Sequence, residues 1–147
     1  MSMASPGIQN LAHHVVALET ARANSPDVRG ATDAHENATV RVIGELRMLL
    51  IRLVGVDGFR ALLSRALTLA KAETPALDMV HVRADGSIQG FEVIEQTKEA
   101  GATEQAGTVL IAHVLKLLVT FIGESLTLRL VRDAWPDAST DGVERTA

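Results

Sequence analysis

The chain has 147 residues, is 47% hydrophobic but only 3% aromatic, and carries a formal net charge of −4. A chain of this length fits one domain with a full core, and a core built from Leu, Val, Ile and Ala points to helices. With no basic block, one Trp, three Phe and no Tyr, it lacks the residues that attract nucleic acid or anionic lipid and that stack on bases; with no Cys, it excludes disulfides, thiolate catalysis and Cys-type zinc sites.

Residues 1–7 read as a flexible tail, and a single helical domain is expected over 8–135. MSMASPGIQNLAHH has no basic segment followed by an unbroken apolar run, so no signal peptide is expected, and a reducing cytoplasm suits the cysteine-free chain. Ile8, Leu11, Val15 and Leu18 fall on one face of a helix from Ile8 to about Arg22, which Asn24-Ser25-Pro26-Asp27 ends. A second helix is expected from Asp33 to Val54, with Val42, Leu46, Leu49 and Leu53 as its main stripe and Gly55 as its left-handed stop. Within it, Met48-Leu49-Leu50-Ile51 is apolar on more than one side, which makes these four residues the candidate interface. Asp57 then caps a third helix, Gly58 to Glu73, that buries Phe59, Leu62, Leu63, Ala66 and Leu67. VGVDG is therefore a tight corner between packed helices, and Thr74-Pro75 closes the third one.

MVHVRADGSIQGF, about 80–91, reads as a small β-hairpin around Asp85-Gly86, a pair that suits a type I′ turn. A two-residue loop there sets Arg83 opposite Ile88 and Val80 opposite Phe91. Phe91 to Lys98 suggests a short helix broken at Gly101. The last helix is expected from Thr103 to Trp135, where Pro136 stops it and 136–147 form a disordered tail. Ser125 to Leu130 alternates with period two and would also suit a strand; good helix formers and few β-branched residues favour helix. Val109 to Ile122 is fourteen residues long and contains His113 and Lys116. A membrane span needs ~20 apolar residues, so the run reads as a buried core helix, with no membrane partner. The expected fold is mainly α: a four- to five-helix bundle around a long apolar C-terminal helix, with one hairpin insertion.

On a wheel at about 100° per residue, His113, Lys116, Thr120, Glu124 and Thr127 form one narrow polar seam. Ile111, Leu115, Leu118 and Ile122 lie to one side of it, and Leu110, Val114, Leu117 and Phe121 cover another. The bland reading of His113 is a seam histidine, exposed or bonded to a neighbouring helix. Ala112-His113-x-Leu115-Lys116, followed by Ile122-Gly123, also resembles the motif around the phospho-accepting histidine of histidine phosphotransfer domains, which are helical bundles. That resemblance implies His113 as phospho-acceptor and Lys116 as a charge favouring phosphate. It covers about twelve residues, and Leu117 stands where that family keeps a small residue, usually glycine, for its partner to approach.

His13 and His14 are adjacent and point about 100° apart on a helix, too far to share a metal, and no His-x-x-x-His or Glu-x-x-His spacing occurs. A metal held across helices by His13, His35 and His113 is the one alternative to no metal. His35-Glu36 near a helix start suits the helix dipole. No P-loop, no G-x-G-x-x-G, no G-x-S-x-G and no calcium loop is present, and no cofactor is expected. Arg129 and Arg132, one turn apart, are candidates for an anion clamp, though such pairs more often sit in ion pairs on a solvated helix end. The expectation is a non-catalytic cytoplasmic interaction module (an adaptor, regulator or assembly subunit), self-associating or with a protein partner. A phosphotransfer-type signalling domain using His113 is the first alternative. An enzyme with a small-ligand or metal pocket along the His113 seam is the second. Eleven Arg against three Lys, with abundant Ala and Val, suits a bacterial genome of high GC content.

Overall fold

The computed structural model describes residues 6–23, 38–90 and 102–136. These residues form four helices and one two-stranded antiparallel hairpin: α1 (Pro6–Ala23), α2 (Ala38–Glu73), a 3₁₀ turn (Pro75–Met79), β1 (His81–Val82), β2 (Ile88–Gln89), α3 (Ala102–Ile122) and α4 (Glu124–Ala134). The mainly α class with a hairpin insertion is as the composition and periodicity require. The expected helix over 91–98, the break at Gly101, the start of the second helix at 33–37 and the tail beyond 136 lie outside the described residues.

α1 begins at Pro6, where the missing N–H of proline is no loss in a first turn. It buries Ile8, Leu11, Ala12, Val15 and Val16. α2 is two helices meeting at Gly55, whose φ of 80° and ψ of 169° lie in a region that only glycine enters readily. The corner expected at VGVDG is therefore present. The C-terminal arm, residues 56–73, buries Phe59, Leu62, Leu63, Ala66 and Leu67 as expected, and Ala70 with them. The N-terminal arm, residues 38–54, is turned from its expected orientation. Val42, Ile43, Leu46 and Leu50 are buried, Leu49 is half-buried, and Leu53 is exposed. A stripe at i, i+1, i+4 and i+8 won over the expected one because Ile43 and Leu50 supply large apolar groups that the latter leaves outside.

α3 is the central helix and packs against α1, α2 and α4. Residues 110–115 are buried without a break. By length and composition its stretch Gln105–Ile122 is apolar enough to cross a membrane, and half of that stretch is buried within this fold, as a core helix requires. Gly107 sets the approach of α2: a Cβ there would lie 1.8 Å from Thr39 Oγ1. The helix does not run on to Trp135. It ends at Ile122, and Gly123, with φ 91° and ψ 159°, turns the chain into α4. The Gly123 carbonyl accepts both the Thr127 N–H, at 3.1 Å, and the Thr127 hydroxyl, at 2.8 Å, which fixes the new helix at its start. Ser125 to Leu130 is thus helical, not a strand.

The hairpin differs from expectation in register. His81 pairs with Gln89 and Val82 with Ile88, one residue off the expected alignment, so Arg83 does not face Ile88. Arg83 N–H donates to the Ser87 carbonyl and Gly86 N–H to the Arg83 carbonyl, giving a three-residue loop, Ala84-Asp85-Gly86, in place of a type I′ pair. The cause is local. Asp85 accepts the Ser87 N–H at 2.9 Å and its hydroxyl at 2.6 Å, and Gly86 closes the turn at φ 87°. Arg47 Nε donates to the Asp85 carbonyl at 2.6 Å and Arg60 Nη1 to that of Ala84 at 3.5 Å. One arginine comes from each arm of α2, so the hairpin tip straddles the corner.

A buried carboxylate ties the first described helix to the last one and to α2. Glu19 in α1 accepts from Arg41 Nε in α2 at 3.1 Å and from Trp135 Nε1, just past α4, at 2.9 Å. Trp135 is the only tryptophan and is itself buried. Replacing Glu19→Gln leaves an acceptor for the indole but removes the charge facing Arg41. The expected cost is about 1–3 kcal/mol, checked by urea unfolding followed through Trp135 emission; an unchanged midpoint would contradict the tie. The two Ser87 hydrogen bonds hold the exposed Asp85 carboxyl below its ordinary value of 3.8. A carboxyl that titrates lower when folded stabilises above its unfolded value and loses that contribution as pH falls through the folded one. Asp85→Asn is therefore expected to weaken the hairpin at neutral pH and to flatten the stability profile below about pH 4, read by hydrogen exchange at Ser87.

Candidate functional site

The arms of α2 and the C-terminal end of α3 enclose an apolar groove of about 600 Å³. On α2, Gly58, Ala61 and Arg65 follow one another at helical spacing, with Val54 across the corner. The two small residues leave the space. Gly58 also lets the corner close, because a Cβ there would lie 2.9 Å from that of Val54. Leu50, Phe59, Leu62 and Leu118 form the buried side. Phe121, 70% exposed, stands at the rim with Val54, 48% exposed. Arg65 is the only charged residue in the lining, is exposed, and makes no hydrogen bond or ion pair among the described residues. Such a site has nothing with which to transfer a proton or hold a metal. It can take up apolar surface, and it can hold one negative charge at its edge.

The candidate interface Met48-Leu49-Leu50-Ile51 is divided by the fold. Leu50 is 1% exposed and belongs to the core, so it is no interface residue; Leu49 and Ile51 are half-buried, and Met48 alone is fully exposed. The exposed apolar surface lies one turn later, at Leu53, Val54 and Val56 around Gly55. His113 is 7% exposed, and its Nε2 is paired with Glu73 Oε2 at the end of α2. Its Nδ1 is buried with no partner among the described residues. This is the seam histidine bonded to a neighbouring helix. The open imidazole that the phosphotransfer resemblance requires is not found here, and Leu117 lines the apolar groove. Lys116 is half-buried and Thr120 exposed, bonding only the Lys116 carbonyl of its own helix at 3.1 Å. No His113-lined pocket is formed with them: His113 does not line the groove. Arg129 and Arg132 are both exposed on α4, one turn apart.

A second cleft of about 560 Å³, of mixed lining, lies between α1 and α3, where His13, Asn10, Gln105 and Thr108 line it with Val109 and Ala112. His13 is exposed, His14 is half-buried, and His35 lies outside the described residues. Among the described residues no group of three or more His, Asp and Glu is placed to hold a metal ion.

Two parts of the site escaped sequence reading. Gly58-x-x-Ala61-x-x-x-Arg65 carries the signal in its spacing, small residues leading to a cation on one helical face, but by sequence Gly58 reads simply as a helix start. Phe121 belongs by spacing to an apolar side of the last helix; it is exposed because α3 stops one residue later. Because both imidazole nitrogens of His113 are covered, phosphoramidate is expected to leave the folded chain unmodified at His113 and to modify it in denaturant, as mass spectrometry would show. Comparison with protein-family models, with curated proteins and with solved structures finds no match for this chain.

Proposed function

We propose that the chain is a non-catalytic helical interaction module that associates with a second copy of itself through the apolar end of its bundle. One observation carries the reading. Leu53, Val54 and Val56 are 52%, 48% and 39% exposed around Gly55, and Phe121, 70% exposed, shares a groove with Val54. Large apolar side chains grouped on a surface favour a partner, because each loses water contact on association. An aromatic ring at the edge of a groove has the form of an interface anchor. Met48 is exposed too, yet it points roughly 120–140° away from Leu53 and Val54 on the helix and does not extend this patch.

Light scattering after size exclusion tests the reading. The wild-type chain is expected as a dimer, and the pair Leu53→Lys with Val56→Lys as a folded monomer, weakened by about tenfold or more. Met48→Lys is expected to leave the mass unchanged. A wild-type monomer at every concentration tried would overturn self-association. Leu50→Glu is not a useful variant, since a charge there enters the core.

A further inference from the structure

We propose that the groove between α2 and α3 is a binding site for a single-chain carboxylate, with its apolar body along Ala61, Leu62 and Leu117 and its carboxylate on Arg65. This goes beyond self-association, with which it shares the rim residues Val54 and Phe121 but not Ala61 or Arg65. The volume of about 600 Å³ is that of a small-molecule site. Its walls are aliphatic and aromatic, and they offer a ligand dispersion contact and removal from water. The charge pattern selects among apolar ligands. Of the other arginines of the same element, Arg41, Arg47 and Arg60 are engaged, on Glu19 and on the hairpin carbonyls, and Arg52, exposed like Arg65, does not line the groove. Among the described residues Arg65 has no hydrogen bond or ion pair, and it is the only charged group in the lining. A guanidinium presents a planar fork of N–H donors that matches a carboxylate in two parallel hydrogen bonds. One cation balances one carboxylate; a phosphate dianion would leave a charge unmet beside Phe121 and Leu117. The trough is open over Gly58 and Ala61, so the chain of the ligand lies along the arm of α2 with its head at the Arg65 end.

Isothermal titration of the full chain with octanoate and with uncharged octanol tests this. Octanoate is expected to bind the wild type, and Arg65→Gln to weaken it by about tenfold or more while leaving octanol unchanged. Ala61 is exposed, so Ala61→Phe fills the trough without entering the core and is expected to abolish binding of both, with an unchanged circular dichroism spectrum. Failure of the wild type to bind octanoate, or equal octanoate affinity in wild type and Arg65→Gln, overturns the proposal. Light scattering on the same variants separates the two readings. If Ala61→Phe dissociates a dimer that binds no octanoate, the groove is the seat of the second copy and the ligand proposal fails. If a monomeric wild type binds octanoate through Arg65, the ligand proposal stands and self-association fails.

Discussion

Glu19 is the constraint on which the arrangement of the helices depends. A carboxylate buried in an aliphatic core is tolerated only when its oxygens are paired, and Arg41 and Trp135, which pair with Glu19, come from other elements. Arg41 belongs to the first turn of α2 that is described, and Trp135 ends α4, 116 residues from Glu19 in sequence. Satisfying one side chain therefore docks the start of α2 and the end of α4 on α1. With those ends fixed, α3 has to pass between them, and Gly107 lets it do so where any side chain would meet Thr39. The largest fully buried side chain in the chain is the indole that Glu19 holds. Polar satisfaction and apolar packing thus meet at one residue.

The two chain reversals, at Gly55 and Gly123, shape the other end of the molecule. Both glycines have positive φ with extended ψ, so each bends the path sharply while helix resumes at once. The reversal at Gly123 turns α4 away from the continuing axis of α3, and Phe121, just before it, is left without cover. The reversal at Gly55 brings Val54 beside the same space. An apolar groove results not from the absence of suitable residues but from the geometry of two stops. The hairpin tip, held by Arg47 and Arg60, sets Gly86 close against Phe59, so the hairpin backs the buried side of the groove.

The sequence made the helices legible where period and punctuation agreed. Ile8 to Val15, Phe59 to Leu67 and the apolar run around His113 carry their burial in their spacing, and Gly55 marked its corner. Legibility failed where several apolar residues competed for one face. Between Val42 and Leu53 nearly every aliphatic choice defines some stripe, and only the position of α3 decides that Leu50 goes in and Leu53 stays out. Gly123 was hidden by the opposite effect: strong helix formers on both sides disguise a break that depends on a single residue. The hairpin register turned on Ser87, whose hydrogen bonds to Asp85 outweigh the preference of an Asp-Gly pair for a tight two-residue loop. His113 lay on the one polar seam of its helix, but whether a seam faces water depends on what packs over it, and Glu73 comes from an element forty residues earlier. Arg65 belongs to the same kind. Gly58 and Ala61 on its own helical face set it apart from the other arginines of α2, but that spacing has meaning only with the space that α3 leaves beside it.

The two proposals draw on shared side chains, and this has a thermodynamic consequence. Val54 and Phe121 rim the groove and also belong to the exposed apolar end. A ligand seated in the groove therefore changes the surface a second copy would meet, and by linkage a second copy changes the affinity for the ligand by the same factor. The sign follows from what Phe121 does. If the ring closes over a bound chain, the apolar area left for a second copy shrinks, and the ligand favours the monomer. If the chain fills the trough beneath the ring and holds it outward, the patch becomes flatter and more complete, and the ligand favours the dimer. Phe121 is the more exposed of the two shared apolar side chains, so its rotamer is the one less held by packing. The coupling between ligand and second copy is in that sense a property of Phe121 rather than of the bundle.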